Sequence, residues 1–430
     1  MKNSTSEHHT LALVLCGVAA LIIGSLVIAS LLLFHTQIAP KLSVTTETSG
    51  CAIPLTPKEK ILYVLSRSSS NHTLYISAVN TNGQQRWMQK FATLAVPTRG
   101  SLEETNGTVY VFATGYMPKS IKQEGRTTAE FGHITNIAAA YNANNGKKLW
   151  NVLAPDNSFI DGMSICNNII YLWTNNRIYA YNGYNGALLW KSSEFTLLDT
   201  PRIVVTNNAI VFKSKGQDTD HDSIYALNAK KGTLLWKVNI SNLGHNNQHI
   251  AIALTATNKA VYVSQFSKTV PEKVEALSIS NGKPLWNTSV HMPIENTNIR
   301  FPFTIVGNNV LYLYTSNAGL VALNVKNGTH LWQGSNISQI QSVQDRLYVT
   351  YIKVPNFCQL DPVTGKNQWC ISLTHTGNSM EAVSDQTTLY IASPKGVSAL
   401  QKNNGRVRWT YKGNKPRTAS MLPYSLSLAY

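Results

Sequence analysis

From about residue 60 onward the chain alternates short apolar stretches with turns rich in Asn and Gly, and within each stretch the apolar positions recur with period two. Ile178-Tyr179-Ala180-Tyr181-Asn182, Ile224-Tyr225-Ala226-Leu227-Asn228 and Leu320-Val321-Ala322-Leu323-Asn324 read as one recurring strand. Such strands end at an Asn or Asp four residues before a glycine, at Asn142, Asn182, Asn228, Asn324 and Asp361, with Ser278 and Gln401 as looser versions. Four residues after the glycine stands a tryptophan. The pairs are Gly83 with Trp87, Gly146 with Trp150, Gly186 with Trp190, Gly232 with Trp236, Gly282 with Trp286, Gly328 with Trp332, Gly365 with Trp369 and Gly405 with Trp409. A short polar side chain can bond the turn backbone and glycine supplies positive φ, so the phrase predicts a β-hairpin.

Upstream of the hairpin lies a second apolar pair. Arg202 to Val205 and Ile210 to Phe212 flank Asn207-Asn208, and Phe303 to Val306 and Val310 to Leu313 flank Asn308-Asn309, which makes four strands per unit. The unit recurs every ~46 residues, the length of a four-stranded propeller blade. The pattern predicts an all-β, eight-bladed β-propeller of four-stranded antiparallel blades. An alanine six residues before the glycine recurs at Ala140, Ala180, Ala226, Ala276, Ala322 and Ala399. A larger side chain there would block a neighbouring sheet. The tryptophans are therefore expected to lie flat between blades, each burying about 150–250 Å². Their role is structural, and none is assigned to a ligand.

The first unit has three clear strands, at 61–64, 74–78 and 85–91, whereas the last already has four. The apolar stretch 421–428 has no partner of its own, and we expect it to return as the missing strand of unit one, closing the ring and removing an open edge. Pro423 is tolerable at a strand end. Residues 51–55 compete for the same place.

The string Ala-Leu-Asn-x3-Gly-x3-Trp, as in Ala322 to Trp332, resembles the repeat of pyrroloquinoline-quinone-type propellers. That family includes quinoprotein alcohol dehydrogenases, the propeller lipoprotein of the outer-membrane assembly complex and further envelope proteins. The resemblance covers residues 60–411 and implies the fold; its repeat residues are structural, and it places the quinone site elsewhere. Unit seven departs from it with Gln359 in place of alanine, and unit one is a residue shorter, with Ala78 five before the glycine. Residues 115–133 read as an insertion on one face of the disc. The dehydrogenases carry an adjacent Cys-Cys pair over the quinone and a calcium held by acid and amide side chains. No two cysteines are adjacent here, so no cofactor is expected, with pyrroloquinoline quinone and calcium as the alternative.

Residues 11–34 contain no charged side chain. As a helix they would span about 36 Å, enough to cross a bilayer. The expected organisation is a cytoplasmic tail at 1–10, a retained transmembrane signal anchor at 11–34, a tether at 35–59 and the propeller at 60–430, outside the cytoplasm. Cys358 and Cys370 flank the unit-seven hairpin symmetrically and are expected to bridge; by elimination Cys51 and Cys166 would pair, and both fit an oxidising compartment.

The net charge of +16 reflects few acids, 21 against 37 bases. It favours anionic headgroups or envelope polymers as partners. Nucleic acid is excluded, because nothing resembles a reading helix. The densest acidic text, Asp218-Thr219-Asp220-His221-Asp222, offers alternate carboxylates at Asp218, Asp220 and Asp222 that suit calcium, although Ser223 stands where a loop glycine belongs and Ala229 where a closing glutamate would. A solvated loop is the other reading. His245 and His249 supply two of the three or four ligands that zinc requires. The function expected is a non-catalytic binding or assembly scaffold using the longer segments 115–133, 213–223 and 265–273, with an unidentified protein or anionic envelope polymer as partner. The alternative is a pyrroloquinoline-quinone-dependent oxidoreductase.

Overall fold

The structure is a computed structural model that describes residues 61–68, 73–94, 96–123, 126–153, 159–195, 203–215, 222–240, 251–266, 272–291, 303–307, 309–315, 319–343, 346–351, 356–372, 381–393, 396–411 and 421–428. All of them lie in the compact unit Ser43–Tyr430. They form eight four-stranded antiparallel sheets. In blade 3 the strands are Gly162–Cys166, Ile169–Trp173, Ile178–Asn182 and Leu188–Lys191, paired in sequence order, and we call such strands a to d. From blade 7 through blade 1 to blade 6 the a strands of successive blades adjoin one another, which makes them the inner ring.

Blade 1 alone breaks sequence order. Its sheet runs Gln85–Thr93, Thr73–Asn80, Ile61–Ser68 and then Met421–Leu428, so the last strand of the chain becomes the a strand of the first blade. This is the expected closure, and it covers the edge that Ile61–Ser68 would otherwise leave open. Pro423 sits where the register slips, opposite Ser66, while Ser425 stands opposite Leu65. A bulge is where a strand tolerates a residue lacking an N–H donor.

One cross-strand row staples the blades together. In blade 3, Tyr171 on strand b stands opposite Ala180 on strand c, and Ala180 stands opposite Trp190 on strand d. The two rings meet across the small methyl group, with centroids 6.1 Å apart. Trp190 then lies on Gly232 of blade 4, where an added Cβ would come within 2.7 Å of the ring. Its Nε1 donates to the Ala229 carbonyl at 3.3 Å, and the Tyr171 hydroxyl donates to the same oxygen at 3.0 Å.

The plan repeats around the ring. Trp236 of blade 4 lies on Gly282 and donates to the Ile279 carbonyl at 2.8 Å, and Trp286 of blade 5 lies on Gly328 and donates to the Val325 carbonyl at 3.1 Å. At the seam Trp409 donates to the Thr81 carbonyl and packs on Gly83. The rings lie between blades as expected, but their burial varies. Trp236 is buried at 7 % exposure, whereas Trp286 is only half-buried, because strand d is the outermost of each blade and one ring edge can reach solvent.

The turns follow from their side chains. Asn142 Oδ1 accepts from the N–H groups of Asn144 and Asn145, and Gly146, at φ +70°, donates back to the Asn142 carbonyl. Unit one absorbs its missing residue in this turn, because Gly83 bonds Asn80 three residues back while Ala78 still faces Trp87.

The apolar run before each tryptophan is not core: a bulge between the pairs Ala180/Trp190 and Tyr181/Leu188 turns Leu189 outward, and Leu234 of blade 4 is 56 % exposed. Strand d is the rim of the disc, so only alternate positions reach a neighbour. Residues 115–133 are not a loop either. They extend strands 2b, Thr108–Gln123, and 2c, Arg126–Asn142, whose pairing continues to Gln123↔Arg126.

Cys358 and Cys370 stand opposite each other on strands 7c, Asn356–Leu360, and 7d, Asn367–Ser372, with Cα atoms 4.1 Å apart, and they are bridged. Cys166 is disulfide-bonded; its expected partner, Cys51, lies outside the described residues, as do residues 1–60 with the expected anchor and tether. Among the described residues no helix is long and apolar enough to cross a membrane.

Candidate functional site

Antiparallel order places every b-to-c connection and every link between blades on one side of the ring, and every a-to-b and c-to-d turn on the other. The three segments expected to bind therefore share the loop side, in blades 2, 4 and 5. Strand 4b ends at Lys215 and 4c begins at Asp222; strand 5b ends at Phe266 and 5c begins at Glu272. Asp218 and Asp220, like His245 and His249, lie outside the described residues, and Asp222 opens strand 4c opposite Lys215. Among the described residues no three His, Cys, Asp or Glu side chains gather as a metal site.

What the structure describes is the polar floor beneath these segments. In blade 4, Ser223 Oγ donates to Asn239 Oδ1 at 2.8 Å, and Phe195 packs edge-on against Phe212 at 4.8 Å. Between blades 2 and 3, Arg99 pairs with Asp161, Thr114 Oγ1 donates to Asn136 Oδ1, and the same oxygen accepts from the Ile160 N–H at 3.1 Å. In blade 5, Gln265 is 2 % exposed and Glu275 is 5 % exposed, and among the described residues neither Gln265 amide atom nor Glu275 Oε2 has a hydrogen-bond partner. Burial pushes the Glu275 carboxyl up, partly offset by the nearby Lys273 charge. Cross-strand pairing of Gln265 with Lys273 and of Val263 with Glu275 puts these groups on one face of the blade. Such a floor can hydrogen-bond and can hold charge.

Above blade 2 rises the most distinctive element of this side. Strand 2a, Val96–Thr105, pairs with 2b no farther than Tyr116, and 2d, Lys148–Leu153, pairs with 2c no farther than Ile137. Beyond those rungs 2b and 2c pair only with each other, as a two-stranded ribbon reaching about 25 Å past the sheet. Both of its edges lack a ladder partner among the described residues.

Sequence reasoning passed over two carboxylates. Glu103 and Glu104 are adjacent on strand 2a, Val96–Thr105, near its turn-side end. Burial first, and then the neighbouring Glu104, push Glu103 up to about 8 against a hydrogen bond from the Ile165 N–H; burial pushes Glu104 up to about 7 against one from the Gly107 N–H. A lone pair of acids in a strand carries no motif, so only packing reveals them.

The cysteines do not supply the stacking pair that a quinone site of the dehydrogenase type uses. Cys358 and Cys370 face each other on the two outer strands of blade 7, and Cys166 ends strand 3a on the turn side.

The sequence matches the family described as outer membrane protein assembly factor BamB, over residues 134–344 and 336–429. The chain belongs to that family. Among solved structures, this BamB-family chain is similar to AztD of Citrobacter koseri, at 9 % identity over 86 % of this chain and 98 % of the other, with a TM-score of 0.53. It is similar to the dihydro-heme d1 dehydrogenase NirN, at 10 % identity over 87 % and 78 %, with a TM-score of 0.52. BamB of Moraxella catarrhalis matches at 14 % identity over 69 % and 87 %, with a TM-score of 0.48. At these identities the likeness concerns the fold. No curated protein matches the chain.

Proposed function

We propose that this protein is a non-catalytic, extracytoplasmic binding or assembly scaffold, held to the membrane by residues 11–34 and recognising a protein partner with the loop side of its ring. The observation that carries the reading is the ribbon of strands 2b and 2c. An isolated two-stranded ribbon is marginal in water, and its open edges are the groups that strand addition uses. The buried amide of Gln265, without a hydrogen-bond partner among the described residues, and the floor around it lie on the same side. The Cys358–Cys370 bridge is in keeping with an oxidising compartment. The oxidoreductase reading lacks a comparable observation, because no two cysteines are adjacent in the chain.

The test is a photo-crosslinking amino acid placed at Thr128 in the full-length protein in its own cells, beside a variant with residues 117–133 replaced by Asn-Gly. One discrete crosslinked partner, together with loss of its co-purification in the shortened variant at an unchanged melting temperature, is expected. Saturable binding of pyrroloquinoline quinone with calcium, accompanied by alcohol-dependent dye reduction, would overturn it in favour of the enzyme.

A further inference from the structure

The side of the ring opposite the ribbon has a charge pattern that the scaffold reading leaves unused. Six of the eight c-to-d turns carry an exposed cation within two residues of the turn glycine: Lys147, Lys231, Lys283, Lys326, Lys366 and Arg406, in blades 2, 4, 5, 6, 7 and 8. Opposing charge is sparser, with Glu103 and Glu104 near the a-to-b turn of blade 2, and Asp361 and Asp385, on this side among the described residues. Asp361 is the single carboxylate in the eight turns, and its Oδ1 already accepts from the N–H groups of Val363 and Thr364. Asp385, on a neighbouring a-to-b turn, is buried and accepts from the Thr387 and Thr388 N–H groups and the Tyr390 hydroxyl. In blade 3, whose turn lacks a cation, Tyr184 occupies the tip and is 79 % exposed. Val363, at the tip of blade 7, is also exposed.

Cations spaced around one rigid face, with an aromatic and an aliphatic side chain at the tips, match a plane of negative charge with an apolar layer beneath it. Tyrosine at headgroup depth and lysine above it are the usual interfacial pair. A rod-like polyanion would engage one arc of such a ring and leave the rest unpaired. Connectivity points the same way. Ile61 opens strand 1b opposite Asn80, the first residue of a c-to-d turn, so the chain enters the ring on the cationic side.

We propose that the turn side of the ring docks on the anionic phospholipid headgroups of the membrane that holds the anchor, leaving the loop side and its ribbon turned away from the bilayer. The proposal rests on the reading of residues 11–34 as a membrane anchor. It does not depend on which partner the ribbon takes. Each cation lost from the contact lowers lipid association by about fivefold, and added salt weakens it further.

The experiment is amide hydrogen exchange on the full chain reconstituted in nanodiscs, neutral phosphatidylcholine against phosphatidylcholine with phosphatidylglycerol. A Lys230→Glu/Lys231→Glu/Lys283→Glu variant of unchanged melting temperature runs alongside. Slower exchange at turns 142–148, 228–234 and 278–284 in anionic discs alone, relieved by salt and by the triple variant, is expected. Insertion with equal exchange in both lipids would overturn the docking alone, as would protection of the loop side. Chain recovered outside the discs would overturn the anchor and this proposal together. Protection by soluble polyphosphate, with none from anionic discs, would assign the face to a polymer and refute the lipid assignment.

Discussion

The contact between blades 3 and 4 and the contact between blades 7 and 8 are built on one plan with opposite fillings. In the first, Ser164, Tyr171, Ala180 and Trp190 form a row across four strands, and only the hydroxyls and the indole N–H are polar. In the second the same row reads Gln341, Tyr348, Gln359 and Trp369. Gln359 Oε1 accepts from Arg346 at 2.8 Å and from Trp369 at 3.1 Å, and both donors also reach the Lys402 carbonyl at 3.1 Å. Gln341 Nε2 donates to the Ala382 carbonyl at 3.0 Å. Trp369 still lies on Gly405, as Trp190 lies on Gly232. The ring-on-glycine seat is thus the invariant part of the staple, and the space behind it accepts either a methyl group or a polar network, in which Gln359 is bonded while the buried Tyr348 hydroxyl has no hydrogen-bond partner among the described residues.

The largest effect is expected where the two contacts are alike. Gly232→Ala and Gly405→Ala each place a Cβ about 2.7 Å from an indole ring, at φ +69° and +73°. Left-handed strain and overpacking together should cost about 4 kcal/mol at either site. Denaturant titration of both variants tests this, and a loss at one site only would show that the seat is not shared.

A smaller effect should separate the contacts. Ala180→Gln in blade 3 inserts an amide where Ile169 stands in place of Arg346, so only the Trp190 indole N–H, already bonded to the Ala229 carbonyl, can donate to it, and about 3 kcal/mol should be lost. Gln359→Ala in blade 7 removes one acceptor while both its donors keep the Lys402 carbonyl, and about 1 kcal/mol should be lost. Equal costs would mean that the row tolerates polarity everywhere and that Arg346 contributes nothing.

The seat was legible in the sequence because its parts sit at a fixed offset: Gly186 and Trp190 share one tight turn, and Gln359 stood out as the odd filler. The tyrosine of the row was not legible. Tyr171 precedes Trp190 by 19 residues but Tyr110 precedes Trp150 by 40, because the ribbon lies between them, so no constant spacing betrays a residue that pairing makes equivalent. Leu189 shows the opposite case. It is apolar in sequence, yet a one-residue bulge sets it on the rim. Segment 265–273 does join two strands of blade 5, but Gln265, read as the start of a loop, is a buried strand residue. Burial of single polar groups depends on the neighbouring blade, which no local pattern encodes.

Blades 2 and 3 offer a titratable version of the same row, since Glu103 stands opposite Tyr110 where blade 3 has Ser164 opposite Tyr171. Glu103 is raised to about 8 and Glu104 to about 7, from an ordinary value of 4.5. Between pH 4.5 and 8 the folded chain therefore holds protons that the unfolded chain has released, so these two groups make the fold less stable as pH rises through that window. Gln at both sites mimics the neutral acid. The Glu103→Gln/Glu104→Gln variant should melt close to the parent at about pH 5 and above it at about pH 8.5, with the gap opening steadily between. A gap that stays constant across the window would mean that both carboxylates are already charged in the fold, and that the row between blades 2 and 3 is solvated where that between blades 3 and 4 is dry.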